Sequence, residues 1–555
     1  MMHNQTMKAR LKSRMTALEK EQSSWRTHWR ELSDFIQPRR GQSINRGAGD
    51  TRPGGKRNQK IINNTATLAA RMLVSAMMSG VVNPANRWFR LDPSDQDLRE
   101  SGPVKQWLQW PEQKIYDSLA ASNFYGVMPT VIEDSVIFGT GVYGQFEDRD
   151  TISRFVPYQI GEYYLANGED GKVSTIYRQF QETVENIVQR FDRENCSDAV
   201  KTAWDNGNWD ARFTICHAIE RSSDRHDNMP APWKSIPQRF DMVSMYWEHA
   251  GGGDGLLGVK GFEETAVHAM RWVRSDPEAY GRSPGMDALG DIKQLQASET
   301  ELARIVQKVG RPPTQGPARA GGDPIDQRPG EHNIVDQNTG GVRHLLENWR
   351  PDPSAMGNEI LRLEGRVRNA FYADVFVMNS LSARSQITAR EIDERSDEKL
   401  QVLGPVLTQI SAEGLDPTID RQFNLIIRGS MGMWPDAGIV PPPPPELEGR
   451  EIKVSYIGPL QMAQMAQKTR TISQFLNTVL GAAQAQPKVL DKVDWDQLVD
   501  EVADSMGIDP DVVNTDDAVE AIRQAQAEQA QMQQAMEMAK TGADAIGKVA
   551  PAMEG

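Results

Sequence analysis

Residues 283–309 read Ser-Pro-Gly-Met-Asp-Ala-Leu-Gly-Asp-Ile-Lys-Gln-Leu-Gln-Ala-Ser-Glu-Thr-Glu-Leu-Ala-Arg-Ile-Val-Gln-Lys-Val. Leu289, Ile292, Leu295, Leu302, Ile305 and Val309 fall on one face of a helix, and Pro312-Pro313 stops the run. Twenty-seven residues make a rod of roughly 40 Å. The next 32 residues, Gly310 to Gly341, hold 7 Gly and 5 Pro, which excludes a long helix there. A second rod is expected over 354–378, its face marked by Ile360, Leu363, Val367, Phe371 and Met378. Two long helices joined by such an excursion are uncommon inside a compact enzyme domain. They suit a subunit whose helices pack beside those of its neighbours, and a heterologous contact repeated around an axis closes as a ring.

Upstream, Leu11, Met15, Leu18, Gln22, Trp25, Trp29, Leu32 and Ile36 follow one another at alternating spacings of four and three, and Pro38 ends the pattern. This predicts a long amphipathic helix whose apolar seam is broken only at Gln22, with coiled-coil pairing as the alternative to packing on its own chain. A second helix is expected from about Asn64 to Met78, closed by Gly80. Its small residues Ala66, Ala69, Ala70, Ser75 and Ala76 permit close packing. Residues 87–93 read as extended and 104–123 as helix. From Gly139 to about Trp272, aromatic and β-branched runs alternate with turn signals, so a mainly antiparallel β region is expected, interrupted by one helix at 184–191.

Downstream, a polar break at 379–385 precedes a third long helix expected over 388–413 and another over 418–428. The five prolines of 441–445 form a stiff spacer, 451–457 one strand, and 460–485, 494–506 and 516–549 further helices. The fold class is therefore mixed α+β and predominantly helical.

Charge varies along the chain. The total is −14, from 76 acidic and 62 basic residues, so the chain as a whole is not a nucleic-acid-binding polycation. Residues 1–60 nevertheless hold 14 Lys/Arg against 5 Asp/Glu, while 500–555 hold 3 against 12. Two cysteines, Cys196 and Cys216, cannot build a disulfide framework and fit a reducing compartment. The most apolar long stretch, 68–82, has 15 residues with Arg71 inside it, too short for a bilayer core of about 30 Å. No apolar run follows the charges of MMHNQTMKARLKSR, so no secretory signal is expected.

The search for chemistry is nearly empty. Gly139-Thr-Gly141-Val-Tyr-Gly144 has the G-x-G-x-x-G spacing of a dinucleotide loop, but Gln145-Phe-Glu-Asp-Arg-Asp after it does not open a helix. There is no Walker A sequence, no H-E-x-x-H or Cys/His cluster among 8 histidines, and no Gly-x-Ser-x-Gly elbow. No cofactor, metal or catalytic residue is expected.

Several segments together resemble the portal, or head-to-tail connecting, proteins of short-tailed bacteriophages. They are Trp29-Arg-Glu-Leu-Ser-Asp-Phe-Ile-Gln-Pro38-Arg-Arg-Gly, Met77-Met-Ser-Gly-Val-Val-Asn-Pro84-Ala-Asn-Arg-Trp88-Phe and Tyr280-Gly-Arg-Ser-Pro284-Gly-Met-Asp-Ala-Leu. Ile387-Thr-Ala-Arg-Glu-Ile-Asp-Glu-Arg, Leu403-Gly-Pro405-Val-Leu and Tyr456-Ile-Gly-Pro459-Leu continue the series in order. The resemblance implies a homododecameric ring at one capsid vertex, through which double-stranded DNA is packaged and later ejected. It implies as partners the terminase large subunit, tail adaptor proteins, and the major capsid and scaffolding proteins, with no membrane. It places the protein in the virion, and in the host cytoplasm during assembly. It divides the chain into a wing (1–282), a first stem helix (283–309), a clip (310–353), a second stem helix (354–378), a tunnel loop (379–386), a wing return with spacer and strand (387–489) and a helical crown (490–555).

By the same analogy Arg384 in the tunnel loop, and Arg304 and Lys308 late in the first stem helix, are the DNA-facing candidates, against an intersubunit salt bridge or a solvent-facing charge. Arg311, Arg319 and Arg328 are the clip candidates for contact with terminase or tail adaptor. An acidic channel would let duplex DNA slide, since a basic bore would hold phosphates through counterion release. The basic head is expected on the outer wing and the acidic tail on the crown. Two other classes stand beside this reading: a non-catalytic virion scaffold or adaptor, which would share the long helices, and a nucleotide-dependent DNA-processing enzyme, which would need the glycine segment to open a helix.

Overall fold

In the computed structural model the described residues are 6–44, 58–317 apart from short loop gaps, Asp326, 328–335, 343–344, 352–373, 403–429, 441–457 apart from two positions, 471–482, and the helical stretches 495–506 and 521–533. They form two compact units, 1–82 with 118–425, and 83–117 with 426–555. The architecture is mixed α and β.

In the first unit, helix α1 (Met7–Phe35) begins at Thr6, whose side chain accepts from the Ala9 N–H. Met7, Leu11, Met15, Leu18, Trp29, Leu32 and Ile36 are all buried, so the sequence seam packs on its own chain. Gln22, the break in that seam, is fully buried and donates to the Tyr163 carbonyl at 2.6 Å and the Tyr280 hydroxyl at 2.8 Å. A short α2 (Gly41–Ile44) follows, then α3 (Thr65–Gly80), whose Ala66, Ala69 and Ala70 face inward. After α4 (Gly102–Ala121) comes α5 (Phe124–Phe138), which the sequence reading left unassigned. Ten of its fifteen residues are buried. A helix buried on nearly every side has no polar face and shows no period.

The β region is antiparallel throughout. Strands β2 (Thr140–Asp148), β3 (Ile152–Tyr158) and β9 (Val267–Arg271) form a sheet of order β3-β2-β9. Strands β4 (Tyr163–Asn167), β5 (Val173–Thr183), β6 (Arg212–Arg221), β7 (Met242–Glu248) and β8 (Gly258–Phe262) form a five-stranded meander. Between β5 and β6 stand two helices where one was expected: α6 (Val184–Phe191) and α7 (Asp198–Asp205), with Ser197 capping the second. A short α8 (Ile236–Arg239) precedes β7. Cys216 packs on the α1 side of the meander and Cys196 on the α6 side, and the two form no disulfide.

The glycine segment is not a phosphate loop. Gly139 closes α5 with φ +87°, and the chain continues as β2 rather than as a helix. A Cβ on Gly139 would lie 2.0 Å from the Gly281 carbonyl oxygen, and one on Gly141 2.0 Å from that of Val131. These glycines serve close backbone packing.

Two long helices complete this unit, α9 (Pro284–Gly310) and α10 (Pro353–Ala370). The second is shorter than the expected 354–378. After Ala370, Phe371 donates to the Val367 carbonyl, Tyr372 makes a tighter bond to Asn369, and Tyr372 takes φ +55°, a left-handed turn that ends the helix. Residues 374–402, with the first half of the expected third helix, lie outside the described residues. From there α11 (Gly404–Ile410) runs through a π-turn at 411–415 into α12 (Asp416–Arg428). Pro417 lacks the N–H that would bond the Glu413 carbonyl, and the Asp416 N–H reaches back to Ser411 instead.

In the second unit β1 (Phe89–Pro93) pairs antiparallel with β13 (Ile452–Tyr456), Phe89 opposite Tyr456. This pairing explains why 83–117 groups with the C-terminal part. The Tyr116 hydroxyl accepts from the Trp88 and Phe89 N–H groups and donates to the Phe89 carbonyl. Glu112 accepts from the Leu91 N–H at 3.1 Å, and its burial pushes its carboxyl up to about 7. Trp107 donates to the Pro441 carbonyl, anchoring the proline spacer. Helix α13 (Trp495–Met506) lies where 494–506 was expected to be helical.

The start of α1 is tied to the meander by Glu220, which receives Arg10, His226 and the Tyr177 hydroxyl. Burial alone would raise this carboxyl, but His226 and Arg10 outweigh it and hold it down at about 2, against an ordinary 4.5. A depressed acid stabilises the fold above its unfolded value and loses that contribution as pH falls through its folded value. Glu220→Gln should therefore lower the thermal midpoint by a constant amount above about pH 4.5, and the gap to wild type should close as pH falls toward 2. Melting curves at stepped pH measure it; a gap that widens on acidification would contradict the assignment.

Candidate functional site

The α9–α10 pair is rooted in the β core through a crowded crossing. Ser283 caps α9, accepting from the Met286 N–H at 3.1 Å and donating to the Ile137 carbonyl at 2.7 Å. A Cβ on Gly281 would stand 2.3 Å from the Gly139 oxygen, and one on Gly285 2.7 Å from that of Ile137. Tyr280, just before, accepts from Gln22 Nε2 and the Leu165 N–H. The Tyr280-Gly-Arg-Ser-Pro-Gly segment is thus the joint between the long helix and both α1 and the sheet.

The two helices join through Ile292, Leu295, Ile360, Leu363 and Val367, all buried, and through Arg366, 2.8 Å from Asp291. Asn63 is wedged against both: its Nδ2 donates to Glu299 at 2.8 Å and to Glu364 at 2.9 Å, and its backbone exchanges bonds with Gln296. Only the first half of the α9 seam is covered. Leu302 and Ile305 are half-buried, and Val309 is 55% exposed, as are Val306 at 53% and Leu361 on α10 at 62%.

Past the ends of these helices lies a three-stranded sheet, β10 (Thr314–Pro317) with β11 (His332–Val335) parallel on one side and β12 (Arg343–His344) antiparallel on the other. Buried Asn333 holds its turn, donating to the Asp326 carbonyl at 2.7 Å.

The sequence-chosen arginines and lysine have different fates. Arg304 is exposed and lies 3.4 Å from Glu301 one turn away, while Lys308 is half-buried four residues on. Arg311 is exposed, its carbonyl accepting from the Gly330 N–H. Arg328 is engaged within its own turn, donating to Asp326 at 2.6 Å, with Glu331 at 3.5 Å. That hydrogen bond holds the Asp326 carboxyl below its ordinary value. The structure brings Arg311 and Arg328 to one sheet end, and Arg304 and Lys308 to the adjoining stretch of α9. Arg319, Arg384 and 379–386 lie outside the described residues.

A polar belt seats the α11–α12 helix on the three-stranded sheet, and sequence reasoning did not single it out. Arg271, fully buried, directs its guanidinium at Glu413 in the π-turn and bonds the Gly171 carbonyl, the Glu278 carbonyl and Asn167. The Tyr143 hydroxyl lies 2.6 Å from Thr418 Oγ1. Gln145 and Ser153 both donate to Gln422, which donates to Ser118. Arg421, 1% exposed, bonds the Gln145 carbonyl and Glu264. Burial, then the charge of Arg421, drives His268 down to about 3, so its ring is neutral beside Gln145. The available signal was polar spacing within the return helix: Thr418, Arg421 and Gln422 share one face.

Among the described residues no group of three or more His, Cys, Asp or Glu side chains is placed to hold a metal ion, and no helix is long and apolar enough to cross a membrane. What these elements provide is positioning: a rigid helix pair rooted in a sheet, with a part-bare apolar face and a small sheet at its end.

The sequence profile of the family described as "Bacteriophage head to tail connecting protein" matches residues 8–513. The "Probable portal protein" of Bordetella phage BPP-1 is 34% identical over 554 residues, 99% of this chain and 96% of that protein. The "Portal protein" of Salmonella phage epsilon15 is 34% identical over 548 residues, 97% of this chain and 94% of its own. With matches running almost from end to end, this chain belongs to the bacteriophage head-to-tail connecting protein family.

Proposed function

We propose that this chain is a phage portal subunit, the piece that joins the capsid vertex to the tail and through which double-stranded DNA is packaged and ejected. The observation that carries this reading is end-to-end similarity to two portal proteins within a single connector family. The role is structural, and its partners are capsid and tail proteins and further copies of the same chain.

In finer detail, twelve copies close as a ring. The first 282 residues and the return helices form the wing, α9 and α10 the stem, the sheet between them the clip, 379–386 the tunnel loop and 490–555 the crown. The half-bare α9 face supports this reading: Val306, Val309 and Leu361 are large apolar side chains exposed on helices that pack on each other along one face, and a neighbouring copy would cover them. Terminase docks at the clip during packaging and a tail adaptor afterwards, with Arg311 and Arg319 as contact candidates. Arg328 is the weaker choice, because Asp326 already occupies its guanidinium. DNA contact falls to Arg384 and Lys308, with Arg304 the weaker choice because Glu301 lies 3.4 Å from it, and such contacts meet phosphates without reading sequence.

Negative-stain microscopy and native mass spectrometry of the purified chain should show a closed ring with a central hole; a monomer or dimer under all conditions would sink the proposal. Val309→Asp with Leu361→Asp should shift the population from rings to monomers while leaving the monomer's circular dichroism unchanged. Arg384→Glu, in rings that still assemble, should change the length of DNA packaged, read by gel sizing of encapsidated genomes. Unchanged length would remove Arg384 from the DNA-facing set.

A further inference from the structure

The five-stranded meander has two faces. One packs on α1 through Tyr164, Tyr177, Cys216, Met245 and Trp247. On the other, Arg178 of β5, His217 of β6 and Tyr246 of β7 stand directly opposite one another in register. The His217 ring stacks on Tyr246, centroids 3.9 Å apart and planes 5° apart, and its Nε2 lies 2.8 Å from Ser244 Oγ.

Two guanidinium groups flank this stack. That of Arg178 is held between two rings, 4.2 Å from the centre of Tyr158 and 4.0 Å from that of Phe180. That of Arg190, from α6, lies 4.6 Å from the centre of Tyr246 and donates to its hydroxyl at 2.7 Å. Burial, and after it these two cations, drive His217 well below its ordinary value, and no carboxylate acts on it. Most arginines described above have an acid beside them; these two have aromatic rings. Tyr158, 1% exposed, has the Arg178 guanidinium as its polar neighbour: burial pushes its hydroxyl up to about 12, and the charge and bonding of Arg178 oppose that rise.

We propose that Arg178 and Arg190, with the Tyr158 hydroxyl beside them, hold a phosphate dianion on this face of the sheet. Two cations without an acid call for two negative charges, and phosphate near pH 7 carries about −1.5 to −2 where a carboxylate carries one. Stacking on rings occupies the flat faces of a guanidinium and leaves its N–H edge for an oxyanion. Arg190 is exposed and Arg178 half-exposed, so the site opens to solvent on the α6 side. The neutral His217 between them adds no third charge. Inorganic phosphate and the terminal phosphate of a nucleotide present the same chemistry.

The test is calorimetric titration of the full chain, in its assembled state, with inorganic phosphate at fixed ionic strength in chloride buffer. AMP, acetate and a short DNA duplex serve as parallel titrants. Saturable phosphate binding, one per chain, is expected. Arg190→Ala, which removes the guanidinium together with its bond to the Tyr246 hydroxyl, should weaken it about tenfold or more, and Tyr158→Phe, which removes one hydroxyl, severalfold. AMP binding with the same dependence on both variants assigns the site to phosphate monoesters in general, and phosphate binding alone assigns it to the free ion; the proposal stands in either case. It is overturned by absent phosphate binding in wild type, by equal binding in Arg190→Ala, by acetate binding more tightly than phosphate, or by a duplex that binds where phosphate and AMP do not.

Discussion

The pairing of Arg271 with Glu413 is the interaction on which the arrangement of the first unit depends. Arg271 belongs to the last sheet strand before the long helices, and Glu413 to the π-turn of the helix that returns after them. Both are buried, and burying two charges costs more than their attraction recovers unless every remaining donor is satisfied. Here the guanidinium also bonds Gly171, Glu278 and Asn167, so a single side chain ties together three stretches of chain, 167–171, 271–278 and the return helix at Glu413. What such a pair supplies is register. A slip of one residue in the return helix would swing Glu413 by about 100° and leave both charges unpaired in the interior. Tyr143 with Thr418, Gln145 with Gln422, and Arg421 with Glu264 repeat the constraint at successive turns.

The same core carries the long helix at its other side. Gly139, Gly281 and Gly285 let three backbones meet with no side chain between them, and Ser283 bonds the end of α5 while capping α9. A helix so rooted behaves as a lever fixed at one end. Displacement of its free end must be taken up by bending along 27 residues or passed into the sheet, because packed interiors shift between discrete arrangements and do not deform continuously. For a portal subunit this is a mechanical property: what touches the free ends of α9 and α10 is coupled to the sheet in which they are rooted.

Much of this was legible in the sequence where periodicity and caps agreed. The α1 seam, the Ser283-Pro284 start of α9, the strand at 452–456 and the antiparallel β region were all read from local pattern. Helix α5 was not, because a helix with ten of fifteen residues buried, and with Gly126 and Pro129 inside it, has little polar face to give a period. The second rod was read too long because Phe371 is in phase with Val367 and buried, so the apolar spacing runs past the point where Tyr372 turns the chain. The glycine spacing at 139–144 imitated a nucleotide loop because both uses of glycine rest on close backbone approach. For the candidate site, sequence selected charges by region but not by state. That Arg328 is held by Asp326, or that Arg178 and Arg190 have rings beside them in place of acids, is decided by turn geometry and strand register.

That distinction between paired and unpaired cations bears on how a portal treats its cargo. On the two long helices Arg304 lies beside Glu301, Arg362 beside Glu359, Arg366 beside Asp291 and Arg368 beside Glu364. Binding of a protein to duplex DNA strengthens with each phosphate that a cation neutralises, and the counterions so released make the grip steep in salt. An arginine already facing a carboxylate releases little, since its charge is offset before DNA arrives. Helices that carry their cations in such pairs keep the donors and the solubility of a charged surface while presenting a nearly neutral face to any polyanion. The net −14 of the chain acts in the same direction at longer range. A surface of this composition would grip duplex DNA only where a cation stands without an acid beside it.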